Sequence, residues 1–266
     1  MAPLSQKSRA LWWYIRHPRY YREFLRVSTI EIKRLWRPRV QDEAAKAREW
    51  CSVNVVSVSE AFEMMGIAEQ SQPFEEQWKE QLRQAHEREK QCPVKMGGGS
   101  DLALLFHLTE SIKAQTVIET GVAYGWSSLA FLLSLKQRNN SRLISTDKPY
   151  PGAGNEQFVG CVVPSDLYDH WTIFRETDRT GLPKAISLAR KIDLCHYDSD
   201  KSYDGRMWAY PLLWNILRSG GLFISDDIGD NLAFRDFCEK INEPPIVVRS
   251  GERFIGLIIK MGKNNF

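Results

Sequence analysis

Four aspartates stand directly after short apolar runs that read as β-strands. Asp147 follows one run, Asp198 follows another, and the pair Asp226 and Asp227 follows a third. Because the carboxyl ends of parallel strands meet at one edge of an open α/β sheet, we expect Asp198, Asp226 and Asp227 to converge in one crevice. Three carboxylates there repel one another unless a cation neutralises them, and hard oxygen ligands favour Mg²⁺, Ca²⁺ or Mn²⁺ over zinc.

A glycine-containing stretch, Glu119-Thr-Gly-Val-Ala-Tyr-Gly-Trp-Ser-Ser, joins a predicted strand to a predicted helix. Such a turn lets a ligand approach the backbone at the positive helix N-terminus. Asp147 stands 26 residues after Gly121, at the end of the next strand, where an acid can bind two ribose hydroxyls. The spacing G-x-x-x-G is not that of the dinucleotide-binding fingerprint, and the alternative is an ordinary strand-to-helix turn.

Alternating apolar runs and helical patterns from residue 96 onward predict βαβ units around a parallel sheet. The predicted strands are 116–119, 142–146, 171–175, 192–197 and 221–225, followed by a hairpin of 246–249 and 254–260. The predicted helices are 100–113, 126–137, 182–190, 206–217 and 232–241. Two further regions precede these units: a basic, aromatic segment at 1–40 and a helical cap region at 41–95, with one helix over 74–91.

The pattern E-x-G-x-x-x-G-x-S, with an acid after the second strand, resembles the class I S-adenosylmethionine-dependent methyltransferases. The resemblance implies a Rossmann-like, doubly wound α/β sheet of seven strands in the order 3-2-1-4-5-7-6, with an antiparallel last strand, over 96–266. It implies a cofactor site with Asp147 on the ribose, Glu119 orienting the loop or the amino group, and Thr177 and Asp178 near the adenine. The other cofactor-binding residues that it implies are Gly121, Ala123, Gly125, Ser127 and Asp198.

The acids after the fourth and fifth strands resemble the metal site of catechol-type O-methyltransferases. That family implies a divalent cation, Mg²⁺ or another, held by Asp198, Asp226 and Asp227, with Asp198 and Lys201 as catalytic residues. In that family the lysine removes a proton from a metal-bound hydroxyl. Asp227 stands where the family has Asn, which adds a negative charge and leaves the identity of the metal open.

A second resemblance covers roughly residues 162–238. The order V-P-x-x-L, W, L-P, D-S-x-x-x-Y, G-G, S-D-D and N-x-A-F is similar to a group of bacterial class I methyltransferases related to those that act on sugars and antibiotic scaffolds. The interpretation is an O-methyltransferase acting on a hydroxyl of a small molecule or sugar. The alternatives are a non-catalytic cofactor-binding module or a metal-dependent hydroxylase-like enzyme of the same fold.

Composition limits the class of protein. The chain has 266 residues, 43% of them hydrophobic, and a net charge of +3. Five scattered cysteines without a C-x-x-C pair argue against a disulfide framework. No run of 18 apolar residues and no signal-peptide pattern is present, so we expect a cytoplasmic protein.

The segment 7–39 holds ten Lys or Arg residues against Glu23 and Glu31. On a helix beginning at Arg19, one face is apolar; its members are Tyr21, Phe24, Leu25, Ser28, Ile32, Leu35 and Trp36. This face suits a peripheral contact with the inner membrane surface, or packing on the catalytic domain or on a second subunit of a homo-oligomer. No nucleic-acid recognition module appears, so nucleic acid is not an expected partner.

Overall fold

The computed structural model describes residues 6–36, 40–67 and 72–262. Its strands are β1 (Val55–Val56), β2 (Thr116–Thr120), β3 (Arg142–Thr146), β4 (Trp171–Phe174), β5 (Ile192–Tyr197), β6 (Leu217–Ser225), β7 (Ile246–Ser250) and β8 (Arg253–Ile259). Its helices are α1 (Gln6–Arg16), α2 (Tyr21–Trp36), α3 (Val40–Asn54), α4 (Val58–Met64), α5 (Phe74–Gln77), α6 (Lys79–Gln91), α7 (Leu102–Ser111), α8 (Trp126–Leu135), α9 (Asp178–Ala189), α10 (Tyr203–Ile216) and α11 (Ala233–Ile241).

The strands form one sheet in the order β1-β7-β8-β6-β5-β2-β3-β4. Counted from β2, the last seven strands follow the expected order 3-2-1-4-5-7-6. β8 runs antiparallel to both of its neighbours, β6 and β7, and the other pairings are parallel. The strand order reverses between β2 and β5, so ligands are expected beyond the carboxyl ends of these two strands.

The sheet has an eighth strand that the sequence does not predict. Val55 and Val56 of β1 pair in parallel with Val247 and Val248 of β7, so the region before residue 96 contributes the edge strand. Two residues carry too little alternation to be recognised as a strand. The predicted helix over 74–91 is broken at Trp78 into α5 and α6, and α9 begins four residues earlier than predicted, at Asp178.

Alternate side chains of each strand enter two apolar layers, one on each face of the sheet. Val117 and Leu194 pack with α7 and α8 on one face, whereas Ile118 and Cys195 pack with α9, α10 and α11 on the other. Phe62 and Phe74 from the region before residue 96 join the first layer. Both faces are therefore covered, as a parallel sheet requires.

The N-terminal helix pair, α1 and α2, packs on the domain through a face other than the predicted one. Glu23 of α2 is buried, whereas Tyr21 and Leu25 of the predicted apolar face are 47% and 63% exposed. Phe24 and Ser28 are half-buried, and the side chains of Ile32, Leu35 and Trp36 lie outside the described residues. Among the residues that the structure describes, no helix is long and apolar enough to span a membrane.

Candidate active site

The loop from β2 to α8 is shaped by residues with positive φ. Gly121 has φ +86° and Gly125, which precedes α8, has φ +94°. A Cβ on Gly121 would overlap the backbone carbonyl of Asp198, and one on Gly125 would lie 2.9 Å from the Cα of Gly160. Ala123 also has a positive φ of 49°. The loop therefore needs glycine at both positions because the backbone is left-handed and neighbouring chain approaches closely.

Asp147, at the end of β3, holds this loop in place. Its Oδ1 accepts hydrogen bonds from the backbone N–H groups of Val122 (2.9 Å) and Ala123 (3.2 Å). Its Oδ2 accepts one from Arg175 Nη1 at 2.7 Å. Burial raises the pKa of Asp147, while the two amides and Arg175 act in the opposite direction. The carboxylate is placed at the predicted position, and its oxygens are bound by the chain itself.

Glu119, near the carboxyl end of the central strand β2, is fully buried. Its oxygens accept hydrogen bonds from the hydroxyls of Ser127 and Ser128 at 2.5 Å each and from Ser145 at 2.8 Å. These contacts tie β2 to the first turn of α8 and to β3. Of the two roles expected for Glu119, the geometry supports orientation of the loop.

A first cavity lies beyond β2, β3 and β5 and encloses about 590 Å³, counting the solvent at its mouth. Asp178 lines it and accepts hydrogen bonds from Ser199 (2.6 Å) and Tyr197 (3.3 Å), whereas Thr177, which precedes α9, is buried outside this lining. The lining residues are Glu23, Arg26, Gly121, Asp147, Lys148, Tyr150, Asp178, Arg179, Asp198, Ser199, Asp200, Gly205 and Trp208.

A second cavity of about 620 Å³ adjoins the first. It is lined by Gly97, Gly98, Gly99, Gly121, Val122, Ala123, Trp126, Ser127, Tyr150, Asp198, Ser199, Lys201 and Arg253. Four residues line both cavities: Gly121, Tyr150, Asp198 and Ser199. Asp198 is thus an acidic side chain at the junction of two adjacent cavities.

Each carboxylate of the predicted metal site faces a basic side chain. Lys201 Nζ lies 3.2 Å from Asp198 Oδ1 and forms a closer ion pair with Asp227. Arg253 Nε lies 3.8 Å from Asp227 Oδ1. Asp226 is buried, with His196 Nε2 at 3.3 Å and a hydrogen bond from the Ser100 hydroxyl at 3.0 Å. His196, expected to be a packed residue, is fully buried.

The sequence of residues 118–228 matches the model of a family described as a methyltransferase domain. This segment begins in β2 and includes the glycine loop, Asp147, Asp198, Lys201, Asp226 and Asp227. This stretch of the chain is therefore similar in sequence to a methyltransferase domain. No curated protein matches the sequence.

Solved structures share the fold of this methyltransferase domain. An O-methyltransferase from Bacillus cereus, in complex with S-adenosylhomocysteine, superposes with a TM-score of 0.54 at 14% identity, covering 80% of this chain and 100% of that one. An O-methyltransferase of tomaymycin synthesis from Streptomyces achromogenes, with S-adenosylmethionine bound, has a TM-score of 0.51 at 18% identity and covers 81% and 98%. At these identities the likeness shows the fold, so the predicted family resemblance and α/β architecture are confirmed.

Two observations indicate that S-adenosylmethionine can bind in these cavities. The loop backbone at Gly121, which carries no Cβ, lines both cavities. Asp198 also lines both cavities, and its Oδ1 accepts no hydrogen bond of good geometry, so this carboxylate can contact a ligand at the junction. Gly121, Asp147, Asp178 and Asp198 are brought together here, with Ala123 and Ser127 on the second cavity.

Electrostatics distinguishes Asp198 from Lys201. Burial, together with the Asp226 carboxylate, raises the pKa of Asp198 to about 6. Burial alone would lower the pKa of Lys201, but the Asp198 and Asp227 carboxylates outweigh it and raise that pKa. Burial likewise favours a neutral His196, yet the adjacent Asp226 carboxylate raises the pKa of its ring. At neutral pH Lys201 is therefore an ammonium, and Asp198 is the group nearer to a base.

The described residues, as arranged, do not fit a resident divalent cation. Asp198, Asp226 and Asp227 face three basic side chains of the chain itself, Lys201, Arg253 and His196. Lys201 lies between Asp198 and Asp227, the position where a shared cation would bind both. Within the described parts of the chain, no cluster of three His, Cys, Asp or Glu side chains is placed to hold a metal ion.

Several residues of the site are absent from the sequence predictions. Arg206, fully buried in α10, donates hydrogen bonds to the backbone carbonyls of Asp226 (3.1 Å) and Asp227 (2.8 Å). It supports the left-handed turn at Asp227, which has φ 52°. Arg26 of α2 reaches the first cavity and binds Asp200 at 2.6 Å. No local signal marks either arginine as a residue of the site, since Arg206 binds the distant turn at Asp227 and Arg26 reaches the distant Asp200.

Proposed function

We propose that this protein is an S-adenosylmethionine-dependent O-methyltransferase that acts on a hydroxyl of a small molecule or sugar, with Asp198 as the general base. The observation that carries the proposal is the position of Asp198, which lines both cavities. A general base must lie within hydrogen-bond reach of the acceptor hydroxyl and to the side of the line from the donor sulfur to the acceptor oxygen, and a side chain that borders both cavities suits this role.

The proposed reaction uses the chain's side chains in distinct roles. When bound, S-adenosylmethionine supplies an electrophilic methyl group on a sulfonium sulfur. The Asp198 carboxylate would take the proton of the acceptor hydroxyl as the acceptor oxygen receives that methyl group and the carbon–sulfur electron pair stays with the donor sulfur. The loop of Gly121 and Ala123 holds the donor, and Tyr150 and Ser199 border both reactants.

Lys201 serves this proton transfer by position rather than as the base. A pKa raised by its two carboxylate neighbours keeps it protonated, and a protonated amine accepts no proton. Its ammonium at 3.2 Å favours the ionised form of Asp198, which is the form that can act as a base. We therefore assign the proton to Asp198 and a positioning role to Lys201.

The sequence predicts assistance by a divalent cation, but the side chains at the site do not favour it. Lys201, Arg253 and His196 already oppose the three carboxylates, so we derive no step through a metal. A chelator distinguishes the two routes. Turnover unchanged by EDTA supports the route through Asp198 and Lys201 alone, whereas turnover lost with EDTA and restored by Mg²⁺ would overturn it.

The test of the function begins with binding and proceeds to transfer. We expect saturable one-site binding of S-adenosylmethionine in calorimetry and methyl transfer to at least one member of a panel of hydroxylated acceptors. Asp198→Asn should bind the cofactor within a few-fold of the parent and lose turnover. Asp166→Asn, at an exposed position, is the matched control. Binding without transfer to any acceptor would favour the non-catalytic alternative.

The remaining parts of the proposal concern partners and location. For a cytoplasmic protein, the N-terminal segment, whose basic and aromatic residues are concentrated in 7–39, is proposed to make one of two contacts, with a second subunit of a homo-oligomer or with the inner membrane surface. Sedimentation equilibrium of the purified chain measures the first, and fractionation of cells measures the second.

A further inference from the structure

The N-terminal helix pair has an inner face that is accounted for by contacts with the domain. Arg26 binds Glu23 through two hydrogen bonds and reaches Asp200 at 2.6 Å. Tyr20 donates its hydroxyl to the Arg175 carbonyl at 3.1 Å, and Trp13 donates to Glu156 at 3.1 Å. Packing on the domain therefore explains the polar and aromatic residues on this side and leaves the opposite side unexplained.

The outer face carries five large apolar side chains that are about half exposed or more: Leu11 (49%), Trp12 (53%), Ile15 (52%), Tyr21 (47%) and Leu25 (63%). On α1 the spacing of Leu11, Trp12 and Ile15 places them on one side of the helix, and the i, i+4 pair Tyr21 and Leu25 does the same on α2. The two groups are adjacent, because the Tyr21 hydroxyl donates to the Ile15 carbonyl at 3.3 Å.

The same face is bordered by positive charge. Arg9, Arg16, Arg19 and Arg22 are exposed, and in the part of the chain that the structure describes none of them pairs with a carboxylate. Glu23, the one acid between residues 6 and 26, is buried and bound by Arg26. The outer face therefore presents cations and apolar groups without a compensating negative charge.

We propose that this outer face of α1 and α2 lies on an anionic lipid surface. Exposed Trp and Tyr rings beside Arg side chains suit the boundary between headgroups and acyl chains, where rings and aliphatic side chains enter and guanidinium groups bind phosphates. Charge complementarity selects this partner over a second copy of the chain, because two such faces in contact would place eight arginines together. The inner contacts remain in place, so lipid binding requires no unfolding of the helix pair.

Co-sedimentation of the full chain with vesicles tests the proposal. We expect binding to vesicles of phosphatidylcholine with phosphatidylglycerol, at least tenfold weaker binding to phosphatidylcholine alone, and loss of binding as salt rises. The triple variant Arg16→Glu, Arg19→Glu, Arg22→Glu should weaken binding to anionic vesicles roughly tenfold or more. The matched control Lys95→Glu, Lys191→Glu, Lys240→Glu changes the same net charge at exposed positions elsewhere and should retain most of the binding.

A second variant tests the apolar part of the face. Trp12→Ser, Ile15→Ser, Leu25→Ser should also lose binding, whereas Met64→Ser, Tyr168→Ser, Leu188→Ser, at exposed apolar positions elsewhere, should not. Failure of the parent to sediment with anionic vesicles overturns the proposal. So does a lipid-free dimer that the apolar variant dissociates, since the face would then be a subunit interface. Unchanged affinity of each variant for S-adenosylhomocysteine shows that the fold is intact, and the vesicle assay is independent of turnover.

Discussion

The carboxylates at the edge of the sheet fall into two groups that differ in their partners. Glu119 and Asp147, beside the glycine loop, are bound by serine hydroxyls, backbone amides and one arginine. Asp198 and Asp227, one strand or two away, face Lys201 and Arg253 at the border of the second cavity. The first group has its oxygens bound by directional hydrogen bonds, whereas the second faces the ammonium and guanidinium groups of Lys201 and Arg253, which line the second cavity.

A carboxylate at the end of a strand can therefore either hold the loop or face a ligand, and residue type and position alone do not distinguish the two roles. The hydrogen bonds that Glu119 and Asp147 accept hold the glycine loop in place, since moving either carboxylate would leave several polar groups unpaired. Asp198 instead has an ammonium at 3.2 Å and lines both cavities, where it can contact a ligand. We therefore expect substitutions in the first group to affect stability and cofactor affinity, and those in the second to affect turnover.

The largest expected effect is on turnover. Asp198→Asn keeps the size of the side chain but removes its ability to accept a proton, so kcat should fall by about 10² to 10⁴-fold. The free energy of unfolding should change by less than about 1 kcal/mol, since Oδ1 accepts no hydrogen bond of good geometry. Steady-state kinetics and urea unfolding measure the two quantities. A large loss of stability with kcat retained would place Asp198 in the first group.

Glu119→Ala should have the largest effect on stability. It leaves the hydroxyls of Ser127, Ser128 and Ser145 without their common acceptor in a buried site, which we expect to lower the free energy of unfolding by about 3 kcal/mol or more. Glu119→Gln, which keeps the volume and one acceptor oxygen, should lose about 1 kcal/mol. If the parent and Glu119→Ala unfold at the same urea concentration, Glu119 does not hold β2, β3 and α8 together.

Lys201→Met tests the electrostatic link within the second group. The kcat/KM of the parent should rise with pH with a midpoint near 6, because Asp198 must be ionised to act as a base. Without the Lys201 ammonium the pKa of Asp198 rises, so the midpoint should move up by about one pH unit. The control Lys113→Met, at an exposed position away from the cavities, should leave the profile unchanged. A midpoint that does not move would separate Lys201 from the base.

Arg175→Met should have the smallest effect of these substitutions, and it should change cofactor affinity alone. Removing the donor to Asp147 Oδ2 loosens the carboxylate that holds the loop, so we expect the Kd for S-adenosylhomocysteine to change by about three- to tenfold. Arg175→Lys, which keeps the charge but not the planar guanidinium, should have an effect between those of the parent and Arg175→Met. Calorimetry measures both. A shift in the pH profile of turnover instead would remove the distinction between the two groups.

The domain was predictable from local patterns to a large extent. The apolar runs at 142–146 and 192–197 match β3 and β5 residue for residue, and the hairpin of β7 and β8 follows its predicted position. The glycine loop was recognisable because a left-handed backbone needs Gly121 and Gly125. Two features were not predicted: β1, which has only two residues, and the break at Trp78 between α5 and α6, inside a stretch with a continuous helical pattern.

Local sequence patterns predicted most of the elements and the residues at the strand ends, because these depend on periodicity and on the turn residues nearby, and the family resemblance supplied the order of the strands. Only the tertiary structure decided what those residues face. Lys201 between Asp198 and Asp227, Arg206 beneath the turn at Asp227, and Arg26 of α2 beside the first cavity depend on side chains brought together from distant parts of the chain. Electrostatic and hydrogen-bond partners act through space, so the charge balance of the site cannot be read from spacing along the sequence.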